Sequence, residues 1–388
     1  MEIRTTLNLL RANTTEMPPN LLLMGKIIAL ALLCTNHVRL LSDPFLPFIP
    51  VLDAIPHHLF QLVLKALFLS SAIALLFNQR VRIAALVLGA TILLAVISSK
   101  SYYGNNKTFC GLMLLLLGLT DYSRLPYFLR CQFALVYFGA GLNKLLDPDW
   151  QSGLFFEHWA TFKIQNPLYI AFAPLLPHLL AGKLLCWFTI AAELATSLGL
   201  FIKKFLPFAL WANILFQASL LEFTGSTFTM FFYGMQAATL MFITWPRHLE
   251  VIYDGDCGLC NKLRQIVTRL DFDSVLIWHP YQSGAGDKYR ITLEALEKRM
   301  HVVVDRHQVF SGFRAFKQIM FFQAWFWLAT TALIALPPDA WSTWRRIIVG
   351  LTVAVFLPVF NPIGELVYNW VARNRHRIVP NSTCGLNP

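Results

Sequence analysis

The strongest constraint in this sequence is a series of apolar runs whose lengths approach the thickness of a lipid bilayer. They fall at about 21–34, 59–77, 83–99, 108–120, 128–146, 184–202, 205–221 and 228–245. A helix needs about 20 mostly apolar residues to cross the hydrocarbon core, with a range of roughly 17–25. In lipid the backbone must satisfy its own polar groups, so runs of this kind form helices. The pattern predicts a polytopic helical bundle over residues 1–247 with about eight spans, of which 108–120 is the weakest. Residues 147–182, with Pro167, Pro174 and Pro177, read as a long interfacial loop with amphipathic pieces.

Composition agrees with that reading. The 388 residues are 56% hydrophobic and 14% charged, where soluble domains carry about 25% charge; the mean hydropathy is +0.54. With 20 Gly, 20 Pro and 7 Cys, disordered, collagen-like and disulfide-stapled chains are excluded. The first apolar run comes late, lacks an A-x-A cleavage site, and places Leu33 before Cys34. A retained first helix is therefore expected rather than a cleaved secretory or lipoprotein signal.

The net charge of +11 does not form a nucleic-acid footprint. Residues 1–249 hold 17 Lys/Arg against 10 Asp/Glu, and residues 250–388 hold 15 against 11. The larger excess lies in the more apolar part, as membrane topology requires. Arg4, Arg11, Arg80, Arg82, Arg124, Arg130, Lys203, Lys204 and Arg247 fall on one side of an eight-span arrangement. Arg39, Lys100, Lys107, Lys163 and Lys183 are spread over longer loops on the other. The rule that positive residues stay inside puts the N-terminus and everything after Trp245 in the cytoplasm, with the chain multi-pass in the cell (inner) membrane. Loss of the 108–120 span inverts this assignment.

At about residue 248 the composition turns nearly soluble. Leu249–Tyr253 reads as a strand ending in an Asp254-Gly255-Asp256 turn. Leu263, Ile266, Val267 and Leu270 then share a helix face over Cys260–Leu270. Val275–Trp278 predicts a second strand, Thr292–Met300 a helix, and His301–Asp305 with Val309–Phe310 a hairpin. That order fits a small α/β or α+β sandwich over 248–388. An apolar insertion at about 319–361, broken by Pro337-Pro338 and Trp341, reads either as a membrane hairpin or as two interfacial helices.

The sharpest chemical signal is Cys257-Gly258-Leu259-Cys260. A C-x-x-C on a strand-to-helix turn puts the first sulfur at a helix N-terminus, where free N–H groups and the helix dipole favour a thiolate. Cys257 then attacks a disulfide and Cys260 resolves the mixed intermediate. The rival readings are half of a zinc site, completed from Cys384, His279, His301 and His307, and an inert pair. Asp254 and Asp256 flank the motif as turn former, helix cap or proton acceptor for the resolving thiol.

Tyr253 to Asn261 resembles the signature of the DCC family of predicted thiol-disulfide oxidoreductases. So do His279-Pro280-Tyr281-Gln282-Ser283, the strand His301–Asp305, Ser311 to Phe316, and Tyr368 to Arg377 with Cys384. The resemblance covers about 250–388 and implies a thioredoxin-like fold with Cys257 as nucleophile and Cys260 as resolver. Met300-His301 stands where a standard thioredoxin fold has its cis-proline.

In the membrane part, Tyr137 to Leu145 with Asp149-Trp150 and Gly153 resembles the HTTM family, relatives of vitamin K-dependent γ-carboxylase. Lys144 falls where the carboxylase has its catalytic lysine. Read from the residues alone, it is otherwise a snorkelling anchor at a helix end. The carboxylase's histidine neighbourhood maps to Asn105-Asn106-Lys107, without a histidine, which argues against glutamate carboxylation. Glu193 and Glu222, in or beside apolar runs, are either functional or interfacial.

Three functions follow. The first is a membrane-tethered protein-disulfide reductase whose Cys pair requires no cofactor. It acts on a disulfide-containing protein or a small thiol, beside membrane lipid and without nucleic acid. The second is an HTTM-centred enzyme or carrier for a quinone-like or lipidic substrate, with the Cys domain supplying electrons. The third is a non-enzymatic scaffold with a zinc-binding module.

Overall fold

The computed structural model describes residues 17–39, 41, 55–99, 101–122, 126–224, 229–246, 248–272, 274–305, 307–336 and 342–379. Arg4, Arg11, Lys100, Arg124, Arg247, Pro337, Pro338, Trp341 and Cys384 lie outside them, as does the side chain of Glu222. The chain divides into two compact units, one over Thr15–Ile243 and one from Thr244 onward.

Each predicted apolar run of the first unit is helical. The helices are α1 (Pro19–Cys34), α2 (His57–Leu76), α3 (Val81–Ser98), α4 (Asn105–Leu119), α5 (Tyr127–Leu146), α6 (Leu180–Gly199), α7 (Leu206–Thr224) and α8 (Thr229–Thr239). Several of them are shorter than a full span. Among the described residues of this unit α2 and α3 are each long and apolar enough to cross a membrane, and counting one bent helix pair that ends in α6 raises the number to three; two further bent pairs lie in the second unit. With 15 residues in α4 and 11 in α8, these helices are only about 22 Å and 16 Å long at 1.5 Å per residue. The segment 147–182 folds into short pieces, including Pro148–Ser152, Leu154–His158 and Pro167–Phe172, and the last, continued to Leu175, meets α6 at 118°.

Small residues let α3 and α4 approach closely. A Cβ on Gly89 would stand 2.5 Å from the Leu115 nitrogen, and one on Gly118 would stand 2.4 Å from Leu86 Cγ. Helices in lipid lack a hydrophobic driving force toward each other and associate through such backbone contact. The outward faces stay apolar: Leu62 on α2, Ile97 on α3 and Phe188 on α6 are each more than three-fifths exposed. A surface of that kind suits lipid rather than water.

The second unit is a four-stranded mixed sheet in the order β2-β1-β3-β4. Its elements are β1 (Leu249–Tyr253), α9 (Gly258–Leu270), β2 (Leu276–Pro280), α10 (Leu293–Lys298), β3 (His301–Val304), β4 (Gln308–Ser311) and α11 (Gly312–Phe321). Three further helices are α12 (Ala324–Ala335), α13 (Ser342–Ala354) and α14 (Asn361–Ile378). The crossover through α9 makes β2 parallel to β1, while β3 is antiparallel to both β1 and β4. This is a thioredoxin-type topology. Alternation along the strands feeds two cores: Leu249, Val251, Val302 and Val304 pack with Val267, Ala315, Ile319 and Phe322, and Ile252 and Val303 pack with Leu296 on the opposite face.

The structure shifts three boundaries. β2 starts one residue late, at Leu276, and runs on to Pro280, because its pairing with β1 continues to Tyr253. α10 stops at Lys298. The apolar stretch expected from 319 begins inside α11, where Ile319 and Phe322 belong to the sheet's core. On α9 the sheet buries Val267, while Leu263 and Ile266 remain exposed.

Candidate active site

The strand β1 delivers the chain to the Asp254-Gly255-Asp256 turn, which a small hydrogen-bond network holds. Asp254 Oδ1 accepts from the Asp256 N–H at 3.1 Å and from Gln282 Nε2 at 3.1 Å. Gln282 also donates to Asp256 Oδ2 at 3.1 Å, and its Oε1 accepts from the Gly255 N–H at 3.1 Å. A Cβ on Gly255 would stand 2.9 Å from the Pro280 ring and 3.0 Å from Gln282 Oε1, so the turn leaves no room for a larger residue. Asn261 Nδ2 closes the loop on the Gly255 carbonyl at 2.6 Å.

Cys257 itself occupies the N-cap of α9, and its sulfur accepts the Cys260 backbone N–H at 3.3 Å. The cap position is therefore not Asp256, whose carboxylate faces Gln282 instead. Cys257 is fully buried and Cys260 is half-buried. The Cys260 thiol donates to the Cys257 sulfur, and this bond is the largest influence pulling the Cys257 thiol down to about 6. The Cys260 backbone N–H and the charge of Arg375 act in the same direction, against burial and the charge of Asp254. The same thiol-to-sulfur hydrogen bond, with burial, pushes the Cys260 thiol far up. The two thiols are thus divided into a stabilised thiolate and a thiol that keeps its proton.

Two partners of this site are not assigned a role by sequence reasoning. Arg375, on α14, meets Asp254 Oδ2 at 2.8 Å and donates to the Glu297 carbonyl at 3.1 Å. Gln282 organises both acidic side chains of the turn. Both lie within stretches singled out by the family resemblance, which was the available signal. With Arg375 on one oxygen and two N–H donors on the other, the Asp254 carboxylate is engaged as a turn former. Tyr368 of α14 accepts the Met300 N–H at 2.9 Å. Among the described residues no group of three His, Cys, Asp or Glu side chains gathers as a metal site requires.

In the first unit, Lys144 ends α5 and meets Glu193 of α6, with Nζ 2.9 Å and 2.8 Å from its two carboxylate oxygens. The ammonium also lies over the Trp150 ring at 5.1 Å. Lys144 is thus tied to a buried carboxylate, and Glu193 is buried between helices. About two turns toward the start of α5, the Tyr137 hydroxyl donates to Asn213 Oδ1 and accepts from Gln217 Nε2, all three side chains being buried.

Comparison with known proteins bears on the second unit. Uncharacterized protein YuxK of Bacillus subtilis (strain 168) is 24% identical over 127 residues, which cover 33% of this chain and 77% of that protein. No solved structure matches the chain. Residues 251–347 match the DCC1-like thiol-disulfide oxidoreductase family, so the segment that carries the sheet and the Cys pair is a DCC1-like domain.

Proposed function

We propose that this protein is a membrane-tethered disulfide reductase whose working groups are Cys257 and Cys260. The observation that carries the reading is the Cys257 sulfur at the N-cap of α9, accepting the Cys260 backbone N–H at 3.3 Å. The Cys257 thiolate attacks one sulfur of a substrate disulfide; a mixed disulfide forms, and the first substrate thiolate leaves. Cys260 then attacks the Cys257 sulfur, its proton passing to the departing second thiol. Two electrons reach the substrate, and a Cys257–Cys260 disulfide remains for a small thiol or dithiol donor to reduce. Because Cys257 is enclosed, its cover opens for a protein disulfide to reach it.

The apolar outer faces of α2 and α3 support the tether, and the bias of positive charge supports a cytoplasmic dithiol domain, where the resting form is reduced. The test is reduction of a cystine peptide by the full chain in detergent. Cys257→Ser is expected to abolish it, and Cys260→Ser to accumulate the mixed disulfide. Full activity in Cys257→Ser sinks the reading. Labelling of Cys257 in intact cells by an impermeant thiol reagent overturns the assigned side.

A second reading, centred on the HTTM-like bundle, draws support from the Lys144–Glu193 pair and the Tyr137–Asn213–Gln217 cluster. Buried ionisable groups among apolar helices mark functional sites. In that case Lys144→Ala removes activity toward a quinone-like or lipidic substrate while cystine-peptide reduction persists.

A further inference from the structure

Resting on the dithiol reading, a further role falls to α14, which lies beyond the residues matched to the DCC1-like family. Asp254 is the nearest buried carboxylate to the Cys pair in sequence, three residues before Cys257 and 8% exposed. A negative charge there opposes a thiolate on Cys257. The site nevertheless needs Asp254, because its carboxylate holds the turn through Asp256 and Gln282. A buried carboxylate beside a thiolate disfavours both charges, and a cation beside the carboxylate offsets that cost. Arg375 supplies that cation: its guanidinium is 2.8 Å from Asp254 Oδ2, with side chains 17% and 9% exposed.

We propose that Arg375 is the positioning residue of the dithiol site, neutralising Asp254 so that the turn keeps its carboxylate without repelling the thiolate of Cys257. Two features argue for a tuned contact rather than an incidental helix-docking ion pair. The same Nη2 that meets Asp254 also donates to the Glu297 carbonyl, so that nitrogen is shared between the turn and α10. The docking of α14 also has its own separate set of bonds, with Arg299 on Glu365 and Asn369, and Tyr368 on Met300. The titratable or charged groups facing the pair are Asp254 and Asp256 from the turn, Tyr281 after β2, Glu297 of α10, and Tyr368 and Arg375 of α14.

The test follows iodoacetamide alkylation of the Cys257 peptide across pH by mass spectrometry, using the full chain in detergent. In Arg375→Gln the midpoint of reactivity is expected to rise by about one unit, so alkylation at about pH 5 falls about tenfold while the rate at about pH 9 is unchanged. Arg375→Lys keeps the charge and recovers most of the loss. In Asp254→Asn the carboxylate no longer needs neutralising, and adding Arg375→Gln to it slows alkylation less than about threefold. An unmoved midpoint in folded Arg375→Gln overturns the proposal, and so does a full tenfold loss in the Asp254→Asn background. The double variant leaves no unpaired carboxylate, so it gives an answer even where Arg375→Gln fails to fold. Cystine-peptide reduction by wild type and Cys257→Ser decides the underlying reading separately: an inert Arg375 leaves that reading intact.

Discussion

The two units each bury a carboxylate against a cation, and they put the pair to different use. In the first unit Lys144 and Glu193 face each other between α5 and α6, and the ammonium spans both carboxylate oxygens. In the second, Arg375 takes one oxygen of Asp254 while backbone and amide N–H groups take the other. The first pair is closed on itself amid apolar helices. The second stands near Cys257, and in the role proposed for Arg375 its balance of charge acts on that sulfur. The comparison teaches that a buried ion pair acquires a chemical role through its third neighbour, since pairing alone only offsets desolvation.

The largest effect that sharpens this contrast is expected from Glu193→Gln, which leaves the Lys144 ammonium without its carboxylate. Breaking a buried pair costs about 3–5 kcal/mol, whereas replacing both partners with apolar residues, as in Lys144→Met with Glu193→Leu, is near neutral or stabilising. Denaturation of the chain in detergent reads the difference. Equal losses in the single and double variants would break the comparison, by showing that the pair is held for shape rather than for charge.

Next comes pH. The Cys257 thiol lies near 6, below its ordinary value, because the Cys260 thiol donates to it. Its thiolate is therefore present above about pH 6 and lost as the pH falls through that value. Alkylation of Cys257 should rise through that midpoint, while Cys260 stays unreactive across the same range. Removing the donor in Cys260→Ala is expected to move the Cys257 midpoint upward toward that of a free thiol. A midpoint above about 8 in the wild type would place the two sulfurs on an equal footing and remove the chemical distinction between the two units.

The smallest effect is expected from Gln282→Ala. Its bonds to Asp254 and Asp256 are partly exposed, and a hydrogen bond to a charged group contributes about 1.5–3 kcal/mol, less when water can substitute. A several-fold loss in cystine-peptide reduction, with little change in melting temperature, is the expected outcome. A loss as large as that of Cys257→Ser would assign Gln282 a direct role.

Much of the second unit was legible because its signals are local. Leu249–Tyr253 forms the predicted strand, the C-x-x-C lies at the start of the predicted helix, and His301 and Gln308 begin the two strands of the predicted hairpin. The end of α10 was not legible. Arg299 turns to an extended conformation, its guanidinium reaches Glu365 and Asn369, and the Met300 N–H goes to Tyr368. These partners lie more than sixty residues away. The start of β2 was misjudged for a local reason: the Asp271 carboxylate, four and five residues upstream, accepts the N–H groups of Val275 and Leu276. In the first unit, apolarity located every long helix. It did not reveal how short several of the apolar helices are, nor that the segment before α6 meets it at 118°, because a run of apolar letters does not show where a helix starts, stops or bends.

By itself the sequence determined the helices of the first unit, the alternating strands of the second, and the placing of two cysteines at a helix start. Each follows from periodicity, turn chemistry or spacing over a few residues. Only the tertiary structure decided that Asp254 meets Arg375, that Lys144 meets Glu193, and that Cys257 rather than Asp256 caps α9. Charge pairing has no sequence period. Which opposite charges meet depends on how distant elements pack, and packing is settled by the whole core rather than by any local pattern.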